Sequence, residues 1–362
     1  MLTATRREWN ELYVFFNLLA QGEVVLGNEE GLPSGRVLPI FRVTRQEHDG
    51  ERRYTMEETD IHVEGEQMDE RFPREDFGTV ASMILDALKR DRNEEVEAPE
   101  GVEGFLDALK IYDMEARTDD RTDFYITFHD DSFPPVGFRI YSRLCAMMPL
   151  LDGGRTANLK FEQGGIRFSQ PAVNKINYTE DPDNPNEVAR RMLYIESMGG
   201  VLKYNDVADK VFRSNLCLID LNFSRVLAEM VRLMHLDNIS RVDELTALIE
   251  DRNPLKIKEE LICKHGYYRH KMKEFLLAVA LGLRPAKQYD GTDSAVAGFV
   301  MVDAEGRMVA YRKTERQVFA DFLFTHTRLE KGHPEKDKYG YLERENRAYY
   351  LKLNLKIGFV KK

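Results

Sequence analysis

The chain has 362 residues, 43% of them apolar and 31% charged, enough for one large domain or two ordinary ones, and carries a formal net charge of −10 that weighs against a nucleic-acid partner. The charge is unevenly spread: residues 1–135 hold 15 basic and 32 acidic side chains, residues 136–362 hold 37 and 30, so a phosphate-binding surface is expected in the later part. Cys145, Cys217 and Cys263 show neither a disulfide framework nor zinc-knuckle spacing, and the absence of a signal pattern or of an apolar run near ~18 residues predicts a cytoplasmic protein without membrane contact.

Thr5 and Glu8 form a capping-box pair, and Trp9, Leu12, Phe16 and Leu19, widened by Phe15 and Leu18, make an apolar stripe that predicts a largely buried helix over 8–20. Glu11 falls in line with Phe15 and Leu18, where a carboxylate is costly unless partnered. It reads either as a rim acid or as part of a site. Alternation predicts short strands at 37–43, 53–56 and 60–63, followed by exposed acidic loops through EGEQMDERFPRED. Ala81, Ile84, Leu85 and Leu88 mark a helix over 79–90. The acidic stretch 91–104 reads as a linker, and a short helix over 105–111 follows.

Residues 121–162 organise what remains. Phe124, Ile126 and Phe128 alternate with Tyr125 and Thr127 as in a half-buried strand. Residues 130–135, two acids, a serine and a Pro-Pro pair among them, carry turn chemistry. Phe138, Ile140 and Leu144 then face one way, Arg139, Tyr141 and Arg143 the other, with Asp123 at the mouth of the first strand. Asn158, Lys160 and Glu162 alternate on the next predicted strand, opposite Ala157, Leu159 and Phe161.

DPDNPNE opens a helix at about residue 187, and helical spacing dominates to residue 283. Val226, Met230, Leu233 and Met234 read as core. Lys256, Lys258, Lys264, Arg269, Lys271 and Lys273, interleaved with Tyr267 and Tyr268, form the densest basic-aromatic run. It reads as phosphate-backbone contact or as a solvated helix face. Strands at 299–302 and 308–312 and a helix over 315–325 follow. A final hairpin, 338–343 with 349–359, sets Lys352, Asn354 and Lys356 alternating on one face.

Several of these stretches resemble the HpaII family of type II restriction endonucleases. RTDFYITFHD, GFRIYSRL and LLDGGRTANLKFE are similar to the family's K-T-D-I-x-I-x-I-H-D, G-F-S-I-K-S-x-L-G and L-L-N-A-x-x-T-N-F-x-F-E. REWNELYVFFNLLAQG, the basic-aromatic run and the closing YLKLNLKIGF also resemble family segments. The resemblance implies an α+β fold: a restriction-endonuclease-like PD-(D/E)xK core with a mixed central sheet flanked by helices, a helical insertion and a β-rich C-terminal region. It implies Mg²⁺-dependent hydrolysis of double-stranded DNA, with Mn²⁺ able to substitute, at a short G·C-rich palindrome such as CCGG. A homodimer and a companion DNA methyltransferase are implied with it. The expected organisation is an endonuclease-like core over 1–180, a mainly helical region over 181–290 and a β-rich region over 291–362.

In that frame Asp123 matches the metal-binding aspartate, and Glu11 the acid that approaches the metal from the first helix. The family's lysine is Tyr141 here, and its preceding serine is Arg139. Tyrosine is neutral at pH 7, and a fixed arginine beside a divalent ion repels it. Lys160 would serve as a relocated lysine and Glu162 as a second metal carboxylate if their strand lies beside 137–144. Expected DNA contacts are Arg155, Asn158, the six cations of the basic run, Lys352 and Lys356. The loop KGHPEKDK at 331–338 lacks the serine, threonine and arginine expected there, which leaves the target sequence open. The alternatives are a DNA-binding or regulatory protein of the same fold that cleaves poorly or not at all, and a protein that shares only the fold.

Overall fold

A computed structural model describes residues 2–116, 118–129, 134–178 and 186–361. Most of the turn expected at 130–135, and of the DPDNPNE stretch, lies outside them. In chain order the strands are β1 (Thr3–Thr5), β2 (Glu23–Gly27), β3 (Pro33–Glu47), β4 (Gly50–Met56), β5 (Asp60–Gly65) and β6 (Met68–Pro73). Then come β7 (Glu95–Glu97), β8 (Phe124–Phe128), β9 (Val136–Ser142), β10 (Leu151–Asp152), β11 (Asn158–Gly164) and β12 (Val201–Val207). The last six are β13 (Val296–Val302), β14 (Met308–Arg312), β15 (Thr327–Glu330), β16 (Leu342–Glu345), β17 (Ala348–Asn354) and β18 (Lys356–Phe359).

These elements fall into two interleaved units, Met1–Met148 with Asp293–Phe322, and Pro149–Thr292 with Leu323–Lys362. This differs from the expected division at 180 and 290. Long-range strand pairing is the reason: β13 lies parallel to β9, whereas β11 pairs with β17.

The first unit is built on a nine-stranded sheet of order β2-β14-β13-β9-β8-β3-β4-β5-β6, mixed because β13–β9 and β14–β2 are parallel. Strand β2 also pairs with β3. The helices α1 (Arg6–Gln21) and α2 (Arg74–Arg90) supply much of its core. Helix α1 starts where the capping box predicts, with the Thr5 hydroxyl accepting from the Glu8 N–H, and stops at Gly22, whose φ of 65° suits glycine. Trp9, Leu12, Phe15, Phe16 and Leu19 are buried along it, in one cluster with Val43, Phe77, Ile84, Phe124 and Phe138. Each such side chain contributes about 1.5–3 kcal/mol on burial.

Two expectations fail in this unit. The acidic loop after residue 63 contains β6, paired with β5, and its Asp69, Glu70 and Arg71 are exposed on a sheet edge. Edge strands tolerate charge, which masks them in sequence. The predicted linker is also ordered: β7 pairs with β1, and the Trp9 indole N–H donates to the Val96 carbonyl at 2.9 Å.

The second unit carries a four-stranded antiparallel sheet, β12-β11-β17-β16, and a three-stranded one, β10-β18-β15. Helices at Glu187–Ser197, Phe223–Asp237, Val242–Arg252 and Tyr267–Leu281 provide most of its apolar faces. The final strand expected over 349–359 is broken at Leu355, whose N–H donates to Ala157 O at 3.1 Å. Lys352 and Lys356 therefore belong to different sheets, and the Asn354 amide turns inward to Gly154 O and Asn158 Oδ1. Among the described residues no helix is long and apolar enough to cross a membrane.

Candidate active site

Strands β8 and β9 pair antiparallel with Phe124 opposite Phe138, and Asp123 stands just ahead of β8. Its N–H donates to Phe138 O at 2.8 Å, and its Oδ2 accepts from the Ile140 N–H at 2.6 Å. The carboxylate thus occupies the next rung of the ladder, which fixes its direction. Facing it, Glu11 comes from α1. Its Oε1 accepts from Arg45 Nη2 at 3.1 Å and from the Ala116 N–H at 2.6 Å.

Arg45 is 1% exposed, and its guanidinium also binds Glu47 Oε2 at 2.7 Å and Met114 O at 2.6 Å. Tyr54 completes the chain, its hydroxyl donating to Glu47 Oε1 at 3.0 Å. A fully buried cation shared by two carboxylates holds Glu11 in place, because any other arrangement strands a charge away from water.

Asp123 and Glu11 line one small cleft together with Arg7, Asn10, Ile140, Ser142, Cys145 and Met148. Burial pushes the Glu11 carboxyl up to about 7; Arg45 pulls it down and the Asp123 charge pushes it further up. Burial likewise raises Asp123 to about 6, against the Ile140 N–H and the charges of Arg139 and Arg7. Two facing carboxylates, both raised, form a site that gains by taking up a cation. Cys145 is no nucleophile at neutral pH, since burial raises its thiol to about 11.

Among the described residues no group of three or more His, Cys, Asp or Glu is placed to hold a metal ion. The cleft nevertheless fits a hard cation. Asn10 lines the cleft and is 4% exposed, and its buried Oδ1 has no hydrogen-bond partner among the described residues, so an acceptor remains beside the two carboxylates. Mg²⁺ is commonly held by one or two carboxylates, with waters and substrate phosphate completing its shell.

Tyr141 does not line this cleft, although the Asp123 charge reaches it. The Tyr141 ring is 2% exposed and packs on Phe299 with centroids 4.6 Å apart, and burial raises its hydroxyl pKa above the ordinary value. The Arg139 guanidinium lies 5.6 Å from the Tyr141 ring centroid, with Nη2 3.6 Å from Met148 Sδ, at the margin of the cleft.

The adjacency on which Lys160 and Glu162 depended is not met. Strand β9 pairs with β8 and β13, while β11 pairs with β12 and β17 in the second unit. Lys160 instead bonds Glu345 and sits 3.9 Å from the Tyr350 ring centroid, and Glu162 accepts from Asn205 at 3.2 Å. Alternation revealed which way these side chains face, not which strand lies beside them.

The expected DNA contacts divide. Asn158 is 1% exposed and donates to Asp337 O at 2.8 Å, so its amide is committed internally. Lys352 pairs with Glu343 and Glu345, and Lys356 with Asp152. In the basic run Lys264 pairs with Glu260, Arg269 with Glu250 and Lys271 with Glu274, while Lys273 lies over the Phe324 ring. Its tyrosines are occupied: Tyr267 donates to Asp220, and Tyr268 is buried. Arg155, Lys256 and Lys258 are exposed. Sequence reasoning missed Arg7, Asn10 and Arg45; the first two lie on the turn around Glu11, a spacing that points to them once Glu11 is singled out.

A mixed central sheet with packed helices and a carboxylate-lined cleft defines an α+β protein consistent with the restriction-endonuclease class. A family model described as HpaII restriction endonuclease matches residues 5–359, and the chain belongs to that family. It is 28% identical over 363 residues to the type II restriction enzyme HpaII of Haemophilus parainfluenzae, covering 99% of each chain. No solved structure matches.

Proposed function

We propose that this chain is a type II restriction endonuclease with a rebuilt site on a PD-(D/E)xK-type core, hydrolysing phosphodiester bonds of double-stranded DNA with Mg²⁺, or Mn²⁺ in its place. The observation that carries this reading is the convergence of Asp123 and Glu11 on one cleft in a chain of this family. Asp123, Glu11 and the Asn10 carbonyl would hold the cation. When bound, Mg²⁺ acts as a Lewis acid toward the phosphate. The Ile140 N–H and Arg45 keep the two carboxylates aimed, so little reorganisation accompanies the reaction. In the hydrolysis, water adds to phosphorus and loses a proton. The bond from phosphorus to one sugar oxygen breaks, and that oxygen takes up a proton, leaving a phosphate end and a hydroxyl end.

The target is proposed to be a short G·C-rich palindrome of the CCGG kind, cut by a homodimer in the cytoplasm beside a companion methyltransferase. Arg155, Lys256 and Lys258 are the exposed cations offered to the DNA backbone. A second reading, a protein that binds DNA and cleaves it poorly, is favoured by one observation: Tyr141 is buried where the family pattern has lysine.

Incubation of supercoiled plasmid with the protein and Mg²⁺ or Mn²⁺ separates the two. Discrete fragments support the endonuclease; a salt-dependent gel shift with intact plasmid supports the second reading.

A further inference from the structure

Phosphodiester hydrolysis builds negative charge on the phosphate, and a positioned cation that meets it is worth about 10²–10³ in rate. Strand β9 does not bring one from position 141, because that side chain is a tyrosine packed on Phe299. We propose that Arg7 of α1 supplies this charge, its guanidinium leaving Glu115 to donate hydrogen bonds to the non-bridging oxygens of the scissile phosphate. This rests on the endonuclease reading.

Placement comes first. Arg7 is the basic side chain among the described residues that line the cleft with Glu11 and Asp123. It precedes Glu11 by four residues, so the two share a helix face one turn apart. Its charge also bears on Asp123, which places it within electrostatic reach of the carboxylate.

Among the described neighbouring cations, Arg6 and Arg45 are otherwise committed. Arg6 donates to the carbonyls of Leu88 and Leu144, and Arg45 is buried between Glu11 and Glu47. Arg139 also acts on Asp123 by its charge, but its guanidinium touches the Met148 sulfur and lies over the Tyr141 ring, and it does not line the cleft as Arg7 does. Arg7 pairs through Nε with Glu115 at 2.8 Å, with side chains 48% and 42% exposed. An exposed, solvent-screened pair of this kind is weak, so it exchanges readily for a phosphate. The planar guanidinium matches two phosphate oxygens and stays protonated throughout, so it acts by charge and hydrogen bonding and moves no proton.

The test compares wild type with Arg7→Ala, Arg7→Gln and Arg7→Lys, each checked for an unaltered melting temperature. Readouts are single-turnover cleavage of supercoiled plasmid in Mn²⁺ and filter binding of linear plasmid DNA in Ca²⁺ across salt concentrations. The neutral variants are expected to lose about 10²–10³ in cleavage rate, and Arg7→Lys to recover part of it. The salt slope of binding is expected to fall by about 0.9, the signature of one phosphate contact, with no change in the Mn²⁺ concentration for half-maximal cleavage. Neutral variants cutting within about threefold of wild type overturn the assignment alone. Cleavage lost together with a raised Mn²⁺ requirement and an unchanged salt slope also overturns it, by moving Arg7 to support of the metal site. A wild type that cuts nothing with either metal overturns the endonuclease reading and this inference with it.

Discussion

Replacing Arg45 by methionine removes the cation that orders one wall of the cleft. The guanidinium is wholly buried and holds Glu11 at 3.1 Å, Glu47 at 2.7 Å and the Met114 carbonyl at 2.6 Å. Methionine restores much of the volume and none of the charge. Breaking a buried pair by deleting one partner costs about 3–5 kcal/mol, because the orphaned charge stays buried. Here two carboxylates are orphaned. Glu11 is already raised to about 7, with Arg45 the leading influence holding it down, so it answers the loss by taking up a proton, which caps the penalty. The expected loss is therefore about 3–5 kcal/mol and not twice that. Urea unfolding followed by the fluorescence of the single tryptophan, Trp9, reports on this unit directly, since Trp9 is buried on the same helix as Glu11. Adding Glu47→Gln to Arg45→Met should return at least about 1 kcal/mol, the coupling expected of contacting charges. A loss below about 1 kcal/mol in the single variant, or no recovery in the double, would refute the claim that this network fixes Glu11.

Two further outcomes follow. His235 is buried, its ring nitrogens have no hydrogen-bond partner among the described residues, and burial lowers its pKa from 6.5 to about 4. The unfolded chain then binds the proton more tightly than the folded one, so stability falls as pH drops from about 6.5 to about 4, by roughly 3 kcal/mol at most, and His235→Leu should remove that loss when unfolding free energies are compared across the window. Lys160→Ala should cleave plasmid at close to the wild-type rate, because Lys160 bonds Glu345 on a strand that does not adjoin β9; a drop of about 10² or more would return Lys160 to the catalytic set.

Parts of this molecule were open to reading from the chain alone, and the boundary has physical causes. Helix α1 was legible because its cap and its stripe are local, and β8 and β9 because alternating aromatic residues report a half-buried strand. Glu11 was conspicuous as a carboxylate in an apolar line, and the structure brings it to Asp123 in one cleft. Arg45 gave no signal, since a charged residue within a strand ordinarily reads as solvent-facing. Strand neighbours were invisible: nothing local says that β13 lies beside β9 or that β11 lies beside β17. That blindness produced the Lys160 expectation, and it also hid the break at Leu355 that parts Lys352 from Lys356.

The central claim is that Asp123 grips a divalent cation used to cut DNA. Single-turnover cleavage of supercoiled plasmid in Mg²⁺ by Asp123→Asn, paired with its DNA affinity in Ca²⁺, puts that claim to the most direct test. The account predicts cleavage reduced by about 10³ or more with DNA affinity retained. Cleavage by the variant within about tenfold of wild type would contradict it.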